Sequence, residues 1–348
     1  MRFACPDDRA PLDDLAGPCP ACGRAFVGAR LPTFVGRGDF ELRDLRPAGS
    51  EPLGPDEIRG HHDAIVARSL AERDRFAQVG FGGLPDDLSA LRRPSAGPPP
   101  YGEAARSAMR ELTAAVGRVL HPGRNRPGDR ASAEAWYGAD RQMASDLTRG
   151  RGPFMVDGRM VLTSKLEHHL RNMDALSEVV AGWGATSLLE AGVGTGANLL
   201  LLRGLLGDGV ALSGLDRAVP RVLSARATDQ VFGLGVEDLL LADALAIPVR
   251  DGAVDVVFSQ YVLTYLRGRE DRVLDEMLRV ARLGVVFFET AAVRTSPLER
   301  AYLARTGQSR RLARLVRGRR DVEVEALVKR GGDRHVGIPT IMAVLRKR

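Results

Sequence analysis

The chain has 348 residues, 44% hydrophobic and 27% charged, which excludes collagen-like, wholly disordered and disulfide-scaffold proteins and leaves room for about two domains. Its longest strongly apolar stretch, Asn198 to Leu206, is broken by Arg203, and the N-terminus Met1-Arg2-Phe3-Ala4-Cys5 has no apolar export segment, so a cytoplasmic protein without membrane spans is expected. Of the 50 basic residues only Lys165, Lys329 and Lys347 are lysines, and residues 291–348 hold 15 basic against 5 acidic positions, which confines any electrostatic footprint to the tail.

All three cysteines, Cys5, Cys19 and Cys22, lie in the first 22 residues. An odd number crowded into a short segment of a cytoplasmic chain is better explained by metal than by disulfides. Cys5-Pro6-Asp7-Asp8 and Cys19-Pro20-Ala21-Cys22-Gly23 are knuckle-like turns with ten residues between Asp8 and Cys19. Gly23 lets the backbone turn its amides toward thiolates, and Asp8 stands where a fourth ligand is needed. Cys5, Asp8, Cys19 and Cys22 are therefore candidate zinc ligands, in a structural role because four protein ligands leave no open position. A ribbon that has lost its metal is the alternative. The ribbon-like module is bounded at residues 1–45.

Residues 50–163 read as a mostly helical lid or substrate region. An amphipathic pattern through Ile58, His62, Ile65 and Leu70 ends at Gly80, Gly82 and Gly83, and Ser95 to Pro100 reads as a linker or a stiff loop. Helical patterns resume at about residues 102–120 and 131–148, and Trp136 and Tyr137 in the second suit either an acceptor wall or core packing. Met155 to Val161 reads as a hairpin turning at Asp157-Gly158, and a helix follows from about Ser164 to Trp183.

From Ser187 onward, within a core expected over residues 164–348, short β-branched or leucine-rich runs alternate with helical segments, the pattern of βαβ units around a mostly parallel sheet. Strands are expected at Ser187–Glu190, Val210–Asp216, Leu239–Ala242, Val254–Ser259, Gly284–Thr290, Val322–Val328 and Thr340–Leu345. The fold class is thus α/β, a doubly wound seven-stranded Rossmann-like sheet preceded by the ribbon and the helical region.

Glu190-Ala191-Gly192-Val193-Gly194-Thr195-Gly196-Ala197 places an acid at a strand end, three alternating glycines and then a leucine-rich helix. Such a loop lets a ligand lie against bare backbone at a helix N-terminus. Alone it is ambiguous, because Gly192-x-Gly194-x-x-Ala197 with Asp216 also satisfies a dinucleotide fingerprint. Three features arbitrate: Glu190, unwelcome beside a pyrophosphate; Leu241-Ala242-Asp243-Ala244-Leu245-Ala246-Ile247-Pro248, where a third strand ends in an acid able to accept from an adenine amino group; and Asp251-Gly252 feeding the buried strand that stops at Ser259-Gln260.

In order and spacing these residues resemble the class I S-adenosylmethionine-dependent methyltransferases, particularly the group containing ubiquinone and menaquinone methyltransferases, over about residues 165–348. The resemblance implies that Gly192, Gly194 and Gly196 pack on the methionine part of S-adenosylmethionine, with Glu190 at its cationic amino group. It also implies Asp216 on the ribose hydroxyls, Asp243 and Ala244 on the adenine, and Gln260 near the sulfonium. One departure is the lead-in to the fifth strand, shortened to Ala281-Arg282-Leu283-Gly284. The cysteine segment resembles the small zinc ribbons on some methyltransferases, including certain ribosomal RNA guanine methyltransferases.

Methyl transfer is an in-line displacement that needs alignment and, for a protonated nucleophile, a base. His168, His169 and Tyr261 are the catalytic candidates. The two histidines point about 100° apart on their helix, so at most one faces the site. Tyr265, Glu289 and Thr290 share the same sheet edge. A small-molecule or peptide acceptor is the first expectation. The alternative is RNA, held by the ribbon and by Arg310, Arg311, Arg314, Arg317, Arg319 and Arg320, although Tyr302 is the sole aromatic between Thr290 and Arg348 for base stacking. A nicotinamide-dependent oxidoreductase and a non-catalytic cofactor-binding protein are further alternatives.

Overall fold

The computed structural model of the chain describes residues 3–32, 39–49, 58, 152–156, 159–163, 165–266, 268–290, 311–329 and 340–348. The N-terminal segment contributes β1 (Phe3–Ala4), β2 (Pro11–Leu12), β3 (Val27–Pro32) and β4 (Asp39–Asp44). The expected hairpin forms from β5 (Gly152–Val156) and β6 (Arg159–Thr163), with Val156 opposite Arg159. The helices anticipated near residues 55–76, 102–120 and 131–148, the linker at 95–100, and Trp136 and Tyr137 lie outside the described residues. From 50 to 151 only Ile58 is described, buried in the core.

The core follows the expected alternation. It runs α1 (Lys165–Trp183), β7 (Ser187–Ala191), α2 (Ala197–Leu206), β8 (Ala211–Asp216), α3 (Val219–Phe232), β9 (Asp238–Leu241), β10 (Val254–Gln260), α4 (Glu270–Val280), β11 (Ala281–Thr290), α5 (Leu312–Gly318), β12 (Val322–Lys329) and β13 (Thr340–Lys347). The sheet order is β12-β13-β11-β10-β7-β8-β9-β4-β3. Strands β7 to β11 are mutually parallel, while β13 runs antiparallel to both β11 and β12. All seven expected strands are present. Two more come from the N-terminal segment: β4 pairs in parallel with β9, β3 closes the edge, and the sheet grows to nine.

Both faces of this sheet are covered, as a parallel sheet requires. Strand β10, Val254-Asp255-Val256-Val257-Phe258-Ser259-Gln260, is buried along its whole length. Alternating side chains divide the core into two layers. Leu188, Phe258 and Phe288 join Leu170, Met173 and Leu176 of α1 and Leu199 to Leu202 of α2. Leu189, Val257 and Phe287 join Met277 of α4, Leu312 of α5, and Cys5, Cys19 and Leu45 of the N-terminal segment.

The shortened lead-in to the fifth strand has a plain structural form: α4 ends at Val280 and β11 begins at Ala281. Gly284 then sits under the ring of Trp183, where a Cβ would come 2.7 Å from the indole and would strike the Leu345 carbonyl. Its missing side chain lets the end of α1 lie on the sheet. The order reverses between β7 and β10, and doubly wound sheets bind ligands in the crevice beyond the carboxyl ends at that point. Glu190, Asp216 and Gln260 all stand there.

Candidate active site and metal centre

The loop after β7 takes its shape from its glycines. Gly192, Gly194 and Gly196 have φ of 83°, 55° and 79°, in the left-handed region that side chains disfavour. The Gly192 and Val193 amides donate to the Leu215 carbonyl at 2.8 and 2.9 Å, pinning the loop to β8. A Cβ on Gly192 would collide with Val262, and one on Gly196 would come 3.2 Å from Ala225 Cα. Above Gly194 nothing lies within 4 Å. Two of the glycines therefore serve packing, and the middle one leaves bare backbone facing open space at the start of α2.

Immediately before the loop, Glu190 is 1% exposed. Its Oε1 accepts from Asn198 Nδ2 at 2.6 Å, and its Oε2 is buried without a hydrogen-bond partner. Burial pushes this carboxyl well above its ordinary range, against the pull of the Asn198 hydrogen bond and with a further push from Asp216. A buried, half-satisfied carboxylate costs free energy unless a cation or donor meets it. Gln260 Oε1 is likewise buried without a partner. On α1, Asn172 Nδ2 is in the same condition one turn beyond His169.

His169 reaches into this group from α1. Its Nδ1 lies 3.1 Å from Asn198 Oδ1 and 3.3 Å from Gln260 Nε2. Of the two histidine candidates, His169 is the one described at the site; the side chain of His168 lies outside the described residues. Tyr261 follows β10 with φ of 58°, an uncommon backbone for a bulky residue and one that recurs at functional sites. Glu289, fully buried, accepts from Ser259 Oγ at 3.2 Å and from the Val262 amide at 2.8 Å, so it holds the turn after β10.

Asp216 ends β8 and accepts from the Gly194 amide at 3.2 Å and the Ala218 amide at 2.9 Å. Burial raises its pKa against the downward pull of Ala218, Arg221, Gly194 and Arg217. Asp243 follows β9 and accepts from the Leu245 amide at 2.9 Å, and Ala244 beside it is buried. Sequence reasoning missed Asn198, which joins the acid and the histidine. Its signal was present: a lone amide opening the otherwise aliphatic run of α2.

The four proposed metal ligands converge. One ligand atom each from Cys5, Asp8, Cys19 and Cys22 all lie within 4.8 Å of one another, with Cys5 and Cys19 buried and Asp8 and Cys22 exposed. Cys5 Sγ is 3.7 Å from Cys22 Sγ, and Cys19 Sγ is 3.4 Å from Asp8 Oδ2. A tetrahedron with Zn–S bonds of about 2.3 Å has edges of about 3.7 Å, so the spacing fits such an ion. The Ala10 amide, helped by the thiols, holds the Asp8 carboxyl down at about 2. The Arg24 amide pulls Cys22 down, but Asp8, burial and the other thiols together push it up to about 12. A divalent cation would relieve that crowding of acceptors.

Residues 189–288 match the model of a family described as a methyltransferase domain. Among solved structures, the chain is similar to a putative sarcosine dimethylglycine methyltransferase from Galdieria sulphuraria, with a TM-score of 0.44 and 14% identity over 53% of this chain and 88% of that one. It is also similar to magnesium protoporphyrin IX methyltransferase from Synechocystis PCC 6803 with bound SAH, with a TM-score of 0.41 and 13% identity over 53% and 89%. A SAM dependent methyltransferase from Aquifex aeolicus gives a TM-score of 0.33 and 17% identity over 51% and 98%. No helix among the described residues is long and apolar enough to cross a membrane.

Proposed function

We propose that the chain is an S-adenosylmethionine-dependent methyltransferase acting on a small-molecule or peptide acceptor. The observation that carries this reading is Glu190 Oε2, a buried carboxylate oxygen without a partner, at the foot of a left-handed glycine loop inside the segment that matches a methyltransferase domain. An ammonium group suits that oxygen, and a pyrophosphate would be repelled by it, which favours S-adenosylmethionine over a nicotinamide dinucleotide. In this reading Glu190 receives the cofactor's amino group while Gly192, Gly194 and Gly196 admit its methionine part. Asp216 takes the ribose hydroxyls, Asp243 and Ala244 the adenine, and Gln260 lies near the sulfonium. The bound cofactor supplies the activated methyl group.

The chain's own contribution is alignment and proton handling. An ionised Glu190 only accepts hydrogen bonds, so it orients the Asn198 amide with its NH2 toward the carboxylate and its oxygen toward His169. The Asn198 oxygen, nearer to His169 Nδ1 than the Gln260 amide, calls for a proton there, which Gln260 meets by turning its partnerless oxygen to the ring; Nε2 is then the basic nitrogen, able to take a proton from an acceptor nucleophile. Tyr261 would line the same edge. Cys5, Asp8, Cys19 and Cys22 would hold a structural zinc ion.

The acceptor class has support from the tail. Arg319, counted among the residues of an RNA-binding face, donates to Asp321 at 2.9 Å and also pairs with Asp275, and the neighbouring Glu323 and Glu325 are exposed. Such mixed charge is a poor polyanion surface. The test is incubation with methyl-labelled S-adenosylmethionine and an extract of the source cell, with label counted in RNA, protein and small-molecule fractions. Label among small molecules or peptides is expected. Label in RNA would overturn the acceptor class, and no label anywhere would overturn catalysis.

A further inference from the structure

We propose that the cysteine ribbon is a positioning element for the adenine end of the cofactor pocket, so that cofactor affinity depends on the metal held by Cys5, Asp8, Cys19 and Cys22. This rests on the cofactor reading above, which puts Asp243 and Ala244 at the adenine. The segment carrying them, residues 242–251, joins β9 to β10 and has no regular structure of its own beyond short turns. A segment of that kind keeps one shape only if something outside holds it.

The ribbon supplies the hold. The Ala4 amide donates to the Pro248 carbonyl at 3.2 Å, and Phe3 bridges to Val249. The Arg250 guanidinium reaches back to the Phe3 carbonyl at 3.0 Å, the Leu12 carbonyl at 3.1 Å and Asp13 Oδ1 at 2.9 Å. At the start of the segment, the Leu45 amide donates to the Leu241 carbonyl at 2.8 Å. Arg9 pairs with Glu276, whose other oxygen accepts from the Ile247 amide at 3.0 Å. Beneath these contacts, Cys5, Cys19, Leu12, Leu15 and Leu45 share one apolar layer with Ala242, Ala244, Ile247 and Val249.

Two of the four candidate ligands are thus part of the floor on which the adenine segment rests, and Cys5 directly follows the residue bonded to Pro248. The ribbon's own regular structure at this point is a pair of two-residue strands. So small a hairpin does not hold itself together in water and needs a cross-link. The metal provides one, since its binding free energy becomes folding free energy for the ligand-bearing segment. Losing it loosens β1, β2 and the Arg250 anchor, and the adenine segment is freed with them.

The test uses the zinc-loaded 348-residue chain, with S-adenosylhomocysteine as the probe. Its Kd is measured by calorimetry before chelation, after it, and after zinc is added back, while hydrogen exchange is followed at residues 242–251. A parallel variant, Arg250→Ala, breaks the anchor but keeps all four ligands. We expect the Kd to rise about tenfold on chelation and on Arg250→Ala, the variant still holding zinc, with recovery only in the chelated protein when zinc returns. Protection of residues 242–251 falls in step. Should chelation unfold the core, Arg250→Ala alone decides the matter. Unchanged affinity and unchanged protection overturn the proposal, as does a purified chain that takes up no zinc. If the zinc-loaded wild type fails to bind the probe at all, the cofactor reading itself is wrong and this inference falls with it.

Discussion

Replacing Glu190 by Gln should move cofactor affinity and apo-protein stability in different directions. The isosteric amide keeps Oε1 as acceptor for Asn198 Nδ2 and removes the charge on an oxygen that has no partner in a site 1% exposed. Burial already drives this carboxyl toward its neutral form, at the cost of taking up a proton at neutral pH, and the amide is neutral without that cost. Its melting temperature should stay level or rise by a few degrees, since the relief from protonating a buried carboxyl is opposed by an amide NH2 without a partner, each about 1–3 kcal/mol, and each kcal/mol is worth roughly 2–4 °C in a domain of this size. Binding responds oppositely. A charge-assisted hydrogen bond contributes about 1.5–3 kcal/mol, so losing the one proposed at the cofactor's ammonium should weaken S-adenosylhomocysteine binding roughly 10- to 150-fold. Calorimetric titration and a thermal melt on the same preparation read both quantities. A variant that melts several degrees lower while binding the ligand as tightly as wild type would show that Glu190 is a structural acid and that the partnerless oxygen is not a ligand contact.

The pH dependence carries the same signature. Because the Glu190 pKa is raised in the folded apo-protein, its favourable contribution is complete below the ordinary carboxylate pKa and is lost as pH rises through the folded value. A cationic ligand favours the ionised form, so affinity for S-adenosylhomocysteine should increase as pH rises above the ordinary carboxylate range in wild type and flatten in Glu190→Gln. Among the glycines, Gly196→Ala should destabilise the apo-protein more than Gly194→Ala. Both incur about 1–2 kcal/mol of left-handed strain, but only the first also drives a methyl group against Ala225. Gly194→Ala should instead reduce cofactor affinity, because its methyl fills open space above the loop; equal melting temperatures and unaltered binding would contradict that division. In the ribbon, Asp8→Cys should complete a four-thiolate set and hold zinc against a chelator at higher concentrations than wild type, whereas Cys22→Ser should lose zinc first.

Period and punctuation made the core legible. The runs read as strands from β7 to β13 have both faces covered or a strict alternation, so local pattern and tertiary environment agree, and the observed boundaries differ from expectation by three residues at most. The exception is instructive: β11 begins at Ala281, three residues before Gly284, because α4 passes straight into it without the polar turn residues that ordinarily mark a strand's start. The extension of the sheet to nine strands was illegible for a different reason. Val27-Gly28-Ala29-Arg30-Leu31-Pro32 and Asp39-Phe40-Glu41-Leu42-Arg43-Asp44 are short, and what pairs β4 with β9 is long-range register, which no local pattern encodes.

The site divides along the same line. Residues whose chemistry depends on chain neighbours, such as the glycines of the loop or the Cys-Pro-Ala-Cys-Gly turn, announce themselves by spacing. Residues whose chemistry depends on partners far along the chain do not. Asn198 sits in an aliphatic helix, and only the fold shows that its amide spans Glu190 on β7 and His169 on α1. Glu289 reads equally well as a catalytic acid from its place at a strand end, yet it is committed to Ser259 and the Val262 amide. Asn198 therefore separates the two kinds of role experimentally. Asn198→Asp would put a second acid against a buried carboxyl, forcing one of the pair to stay protonated and removing the amide that orients His169. S-adenosylhomocysteine should then bind more weakly, and methyl transfer, followed once the acceptor is identified, should fall further than binding does because the base is also misdirected. Equal losses in binding and turnover would instead mean that Asn198 serves the cofactor alone and that His169 takes no proton.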